Sequence, residues 1–170
     1  MTVPPRVELA VQLLDPAPTD RVLEFGCGPG VAAALVCDRL TTGRLIALDR
    51  SATAVARTTA RNSAHIAAGR LAVHRAALHE IGDHVDPSSL DTAFGIDVNL
   101  FWTGPSAREL AALAAVLRPG GRLLVCFGVG PSGSSRRVTP TIAEALAAHG
   151  FVDVVEHVDA AGSAVSGRRA

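Results

Sequence analysis

Apolar and polar positions along the chain fall into two alternating patterns. Short, nearly unbroken apolar runs stand at RVLEF (21 to 25), RLIALD (44 to 49), RLAVHR (70 to 75), LDTAFGID (90 to 97), GRLLVCF (121 to 127) and VDVVEHV (152 to 158). They predict strands, and GSAVSGRR near the end predicts a seventh. Between them lie longer stretches with helical spacing, 31 to 40, 51 to 68, 106 to 117 and 140 to 149. Ser51 is placed to cap the second, and LRPGG ends the third with a proline followed by glycines. A further helical pattern in MTVPPRVELAVQLL is broken by Asp15 and Pro16. Strands that are apolar at nearly every position need cover on both faces, which a parallel sheet between helical layers provides. The alternation therefore predicts an α/β fold, a single doubly wound Rossmann-like domain over residues 1 to 170 with a mostly parallel sheet.

Composition narrows the partners. A chain of 170 residues fits one domain with a full core. Sixteen positive side chains balance sixteen negative ones, so no net field recommends nucleic acid or an anionic membrane. All the positive side chains are arginine, which excludes a lysine nucleophile or Schiff base. The start of the chain has no apolar run long enough for a signal peptide or a membrane span, and a cytoplasmic location is expected. Cys27, Cys37 and Cys126 show neither CxxC nor Cys/His spacing, so buried reduced thiols are expected and no metal site is.

The candidate chemistry starts at VLEFGCGPG, residues 22 to 30, where three glycines follow a strand and precede a helix. Glycines let such a loop turn tightly and let its backbone approach a ligand without Cβ atoms in the way. The dinucleotide fingerprint is GxGxxG or GxGxxA, and here Val31 stands where its third small residue belongs. Glu24 puts a carboxylate just ahead of the loop, which suits an amino group or a sulfonium better than a phosphate. Asp49 ends the second strand, and a carboxylate there is placed to accept two charge-assisted hydrogen bonds from a vicinal diol.

VLEFGCGPG, then LIALDRS, then LRPGGRLLVCF resemble, in order and spacing, the class I S-adenosylmethionine-dependent methyltransferases. The resemblance covers about residues 20 to 130 and implies a helix and an antiparallel strand pair over 140 to 168. It implies that Glu24 and the loop residues Gly26, Cys27, Gly28 and Gly30 meet the methionine part of S-adenosylmethionine, and that Asp49 takes the ribose hydroxyls. Arg50 is placed to lay its guanidinium plane over the adenine. Where the family often carries Gly-Asp-Ala after the third strand, this chain has Ala76 and Ala77, which leaves the adenine edge to backbone groups near Ala77. The segment FGIDVNLFWTGP (94 to 105) resembles the floor between cofactor and acceptor, with Asp97 in place of the commoner asparagine and Phe101 and Trp102 as candidate walls. The Asp/Asn-Pro-Pro-Tyr/Phe signature of many amino-group methyltransferases is missing.

A methyltransferase needs a general base only when its acceptor must lose a proton. His79 and His84, after the third strand, and Asp97 are the candidates. Three functions stay open on the sequence: a methyltransferase with a small-molecule acceptor attacked in line, an NAD-dependent oxidoreductase sharing the glycine loop and Asp49, and a non-catalytic cofactor-binding or interaction module of the same fold. Val31 and LRPGGRLLV count against the oxidoreductase. No large inserted lid encloses an acceptor, so a homodimer is a candidate source of one, and the Arg136–Arg137 pair is a candidate contact for something acidic. The stretch 128 to 140, rich in glycine and serine, is expected to be a loop beside the site.

Overall fold

The computed structural model describes residues 2–104, 106–129 and 135–170. Seven strands form one sheet: β1 (Arg21–Phe25), β2 (Arg44–Asp49), β3 (Leu71–Arg75), β4 (Leu90–Ile96), β5 (Leu117–Gly128), β6 (Phe151–Val158) and β7 (Gly162–Arg169). Their order is β3-β2-β1-β4-β5-β7-β6, parallel from β3 to β5 and antiparallel where β7 pairs with β5 and with β6. The helices are α1 (Pro5–Leu14), α2 (Val31–Cys37), α3 (Ala52–Arg61), α4 (Ser63–Ala67), α5 (Ala107–Val116) and α6 (Ser135–Ala148). Short 3₁₀ turns cover Leu78–Asp83 and Asn99–Phe101.

Period-2 alternation in the strands divides the core into two layers. Leu23, Phe25, Leu48, Ala93, Leu123 and Val125 face α5, α6 and the first 3₁₀ turn, where they meet Ile81, Leu113 and Leu146. Their neighbours Val22, Leu45, Ala47, Phe94, Leu124 and Cys126 face the other way, onto Val11 of α1 and Val36 of α2. With both faces covered, the parallel strands have no polar side and read as continuous apolar runs.

Chain reversal happens between β1 and β4. The chain winds outward through β1, β2 and β3, then returns to place β4 on the opposite side of β1. In open sheets of this kind, ligands bind in the crevice outside the carboxyl ends of the strands at that switch point.

Several boundaries differ from those the periodicity predicts. The helix expected over 51 to 68 is two helices that meet at Asn62, the C-cap of α3 and N-cap of α4. LRPGG does end α5, but the chain passes from it directly into β5, where Leu117 pairs with Leu90 before the register shifts. The last helix begins at Ser135 and takes Pro140 into its interior, so 135 to 140 is helical rather than loop. Buried Thr139, Ile142 and Leu146 hold that helix against the sheet despite the missing proline N–H. Residues 130 to 134 of the predicted loop lie outside the described residues, as does the side chain of Arg136; Arg137 is exposed.

Helix α1 packs across the sheet and is secured at its end by arginines from elsewhere. The Val11 carbonyl accepts the Asp15 N–H, and those after it lack a helical partner. Arg39 Nη1 donates to the Val11 carbonyl at 2.7 Å, and Arg122 Nη2 donates to the Leu13 carbonyl at 2.7 Å. Arginine donors there also suit the negative end of the helix dipole.

Gly95 in β4 gives room to Phe25. A Cβ at Gly95 would lie 2.1 Å from the Phe25 ring, which also meets Phe101 edge-on at a centroid separation of 5.7 Å. Gly95→Ala is therefore expected to destabilise the fold by about 1–3 kcal/mol, the usual cost of overpacking a tight core. Urea unfolding should show a lower midpoint with an unchanged slope.

Candidate functional site

The loop after β1 is built from three residues with positive φ, Gly26 (70°), Gly28 (52°) and Gly30 (73°), a region only glycine enters without strain. At two of them space is short as well. A Cβ at Gly26 would meet Val98 Cγ2 at 2.6 Å, and one at Gly30 would meet Asn62 Nδ2 at 2.7 Å.

Side chains from α3 and its junction with α4 hold the loop by its carbonyls. Thr58 Oγ1 donates to the Gly28 carbonyl (2.9 Å), Arg61 Nε to that of Pro29 (2.8 Å) and Asn62 Nδ2 to that of Gly30 (3.0 Å). From the other side, Asp49 Oδ2 accepts the Gly28 N–H at 3.0 Å while its Oδ1 accepts the Ser51 N–H at 2.8 Å. The sequence reading missed Thr58, Arg61 and Asn62. Their signal is three polar side chains at i, i+3 and i+4 of a helix, which set them on one face.

A cleft of about 400 Å³ opens at the carboxyl ends of β1, β2 and β4. Its walls include Phe25, Leu48, Ala76 and Leu78, and its polar lining includes Asp49, Arg50, Asp97 and Asn99. A smaller recess of about 190 Å³ shares Gly26, Ile96 and Asp97 with it and extends to Glu24, Cys27 and Gly28 beneath the start of α1.

Glu24 is 3% exposed, and its Oε2 has no hydrogen-bond partner among the described residues. Burial, and then the nearby Asp49 charge, push its carboxyl up to about 8, so at neutral pH it holds its proton. Cys27 is buried beside it, with Thr58 Oγ1 3.4 Å from its sulfur. Burial pushes that thiol up to about 12, which removes it as a nucleophile.

Asp97 sits in the left-handed region (φ 56°) just past β4. One oxygen accepts the Gly128 N–H at 2.9 Å, and the other pairs with Arg6 Nε of α1 at 2.6 Å. The carboxylate thus anchors α1 over the site and brings its own counter-ion.

The remaining expected residues are spread more widely. Ala77 is flanked by the cleft residues Ala76 and Leu78, and its N–H is already taken by Glu80 Oε2 at 2.8 Å. His79 is not among the cleft-lining residues. Its ring stands between Glu80 (4.0 Å) and Glu109 of α5 (3.7 Å), because the 3₁₀ turn points it at that helix. His84 is not among the cleft-lining residues either and stacks on His74, with ring centroids 4.4 Å apart. Phe101 belongs to the core, and Trp102 packs edge-on against Phe127 on the surface. Asn99, Leu100 and Thr103 line the cleft in their place.

The raised Glu24 carboxyl makes stability depend on pH. Its folded pKa lies above the unfolded value of 4.5, so its contribution is complete below about 4.5 and is lost as pH rises through about 8. The expected slope approaches about 1.4 kcal/mol per pH unit inside that window. Urea unfolding of the wild type and Glu24→Gln at pH 5, 6.5 and 8 should show the wild type falling steadily relative to the variant.

A family model for a methyltransferase domain matches residues 22–121, more than half of the chain. No curated protein matches the sequence. Among solved structures, a protein from Methanococcus maripaludis, provisionally assigned as an S-adenosyl-L-methionine-dependent methyltransferase, superposes with a TM-score of 0.74 or better, at 0.77 and 14% identity, over 98% of this chain and 85% of that one. Geranyl diphosphate C-methyltransferase from Streptomyces coelicolor A3(2) gives 0.74 at 12% identity, over 96% of this chain and 79% of that one. The [4+2]-cyclase SpnF gives 0.74 at 16% identity, over 96% and 79%. At such identities the likeness speaks for the fold, and the family match over residues 22–121 carries the assignment: the chain belongs to the class I S-adenosylmethionine-dependent methyltransferases.

Proposed function

We propose that the protein transfers a methyl group from S-adenosylmethionine to a small-molecule acceptor by in-line displacement. The observation that carries this reading is the buried, unpartnered Glu24 Oε2 facing a loop whose backbone is bare and fixed. That acceptor calls for a cationic or N–H-bearing group, and the methionine end of S-adenosylmethionine brings an ammonium and a sulfonium. The pyrophosphate of a nicotinamide dinucleotide brings only acceptor oxygens and would leave the unpartnered Glu24 Oε2 without a donor.

Each part of the site has a task in this reading. Asp49 uses one lone pair on each oxygen for Gly28 and Ser51, which leaves capacity on both for the ribose diol. Phe25, Leu48, Ala76 and Leu78 offer an apolar enclosure for the adenine, with Arg50 at its rim. Glu24, Gly26, Cys27 and Gly28 receive the methionine part in the smaller recess, beside Asp97. The bound cofactor supplies a methyl group on a sulfonium sulfur, already a good leaving group. The protein's share is then alignment, and well-oriented partners reach effective molarities on the order of 10⁵–10⁸ M.

Among the described residues, the carboxylates lining the cleft, Asp49 and Asp97, already accept hydrogen bonds or an ion pair. Neither is a free base, so the site favours an acceptor that needs no strong base. A cytoplasmic location is part of the same reading, supported by three free, buried cysteines.

A fold that also carries a cyclase requires binding and transfer to be tested separately. Calorimetry with S-adenosylmethionine, S-adenosylhomocysteine and NAD should show micromolar binding of the adenosyl ligands alone. Asp49→Ala, which loses two charge-assisted hydrogen bonds to the ribose, should weaken them about 100-fold. Binding of NAD, or full affinity in the variant, would overturn the cofactor assignment. Labelled methyl that never leaves the cofactor across an acceptor panel would favour a non-catalytic module.

A further inference from the structure

The strands that carry Glu24 to the smaller recess and Asp49 to the cleft begin, at their other ends, with arginines. Arg21 opens β1 and Arg44 opens β2, and the two are paired directly in the sheet register. Arg70 precedes Leu71, which pairs with Leu45, so it takes the next place in the same row. Three adjacent parallel strands thus carry guanidinium side chains at successive positions of one row, with strands spaced about 4.8 Å apart. Like charges directly opposite one another in a sheet are destabilising.

The row borders a recess of about 340 Å³ whose lining also includes His74 and His84 and contains no carboxylate. Neither the Arg21 nor the Arg44 guanidinium has a hydrogen bond or ion pair with any described residue; the arginine ion pair nearby belongs to Arg118. Arg70 Nη2 lies 3.4 Å from His65 Nδ1, while its Nε is buried without a partner. The Asp91 carboxylate at the edge of this region is already occupied, by the Arg21 backbone N–H at 2.8 Å and by Arg118 Nε at 2.6 Å. Burial, and then the charge of His84, hold His74 below the ordinary imidazole range. The chain as a whole is neutral, so this is a local concentration rather than a general basicity.

We propose that this recess binds the phosphate groups of a small polyanionic ligand, of the di- or triphosphate class. Arginine forks match phosphate oxygens two at a time, and several adjacent positive charges, two of them on exposed side chains, call for a ligand with more than one negative charge. A single carboxylate would leave most of the row unneutralised. The shape is a recess of about 340 Å³ rather than an extended stripe, which suits a compact group over a nucleic acid strand. The arginine row, where the phosphates would sit, lies a strand length from the cleft, roughly 15 Å. Its ligand is therefore distinct from the methyl acceptor, which must reach the carboxyl ends of the strands.

The test uses the full chain titrated with sodium tripolyphosphate by calorimetry, with sodium sulfate at matched ionic strength as the control. Histidine Hε1 resonances of His74 and His84 are followed in parallel. Saturable binding that moves both resonances, absent with sulfate, is expected. The double variant Arg21→Gln/Arg44→Gln should bind at least about tenfold more weakly. It should also unfold at the same or a higher temperature than the wild type without ligand, since it relieves like-charge repulsion, and this confirms that it folds. No saturable binding by the wild type, or equal binding by the variant, would overturn the proposal. So would an oligothymidylate that binds through Arg21 and Arg44 where tripolyphosphate does not.

Discussion

The carbonyls of Gly28, Pro29 and Gly30 are all taken by side chains at positions 58, 61 and 62, and the rest of the site depends on this clamp. A loop of positive-φ residues has little conformational preference of its own. Tying its acceptors backward onto α3 fixes its shape and leaves its inner face as bare backbone toward the recess. Asp49 completes the arrangement by taking one loop N–H. One residue therefore joins the loop, the start of α3 and the cleft wall, and its carboxylate is oriented before any ligand arrives.

The sheet supports this geometry through steric economy at the switch point. Gly26 leaves room for Val98 and Gly95 leaves room for Phe25, so the ends of β1 and β4 come together closely enough to form one wall. Phe25 is at once a core residue, edge-on to Phe101, and part of the cleft lining. Core packing and cleft lining are here one contact set, which ties the shape of the cleft to the stability of the layer behind it.

Most of this architecture was legible because the physics behind it is local. All seven strands stand within a few residues of their apolar runs; the central ones are buried on both faces, which leaves a continuous signal, whereas the edge strand β6 keeps valines exposed. The glycine loop and Asp49 were legible because left-handed turns and strand-end acids draw on few residue types. What escaped depends on contacts distant in sequence. Asn62 ends a helix early because its side chain reaches back to Gly30, thirty-two positions away. Ser135 to Thr139 join a helix that local composition assigns to a loop, because Thr139 and Ile142 find burial against the sheet. His79 and His84 share a connection with the site by topology, yet the 3₁₀ turn sends one toward α5 and the other toward His74. Asp97 was visible as a candidate, but its pairing with Arg6 joins residues ninety-one positions apart and no local pattern announces it.

That pairing has a practical side. Arg6 draws the start of α1 to the cleft, so Pro4 and Pro5 stand at the rims of recesses that contain Asp97. Whatever polypeptide is joined ahead of them emerges at the mouth of the site. The other terminus leaves from the opposite edge, where Arg168 pairs with Arg122 near the base of β5 and Ala170 bonds to the Gly150 carbonyl. Affinity tags, fluorophores and surface tethers attached at that end leave the cleft clear, whereas the same attachments at the front become part of its doorway.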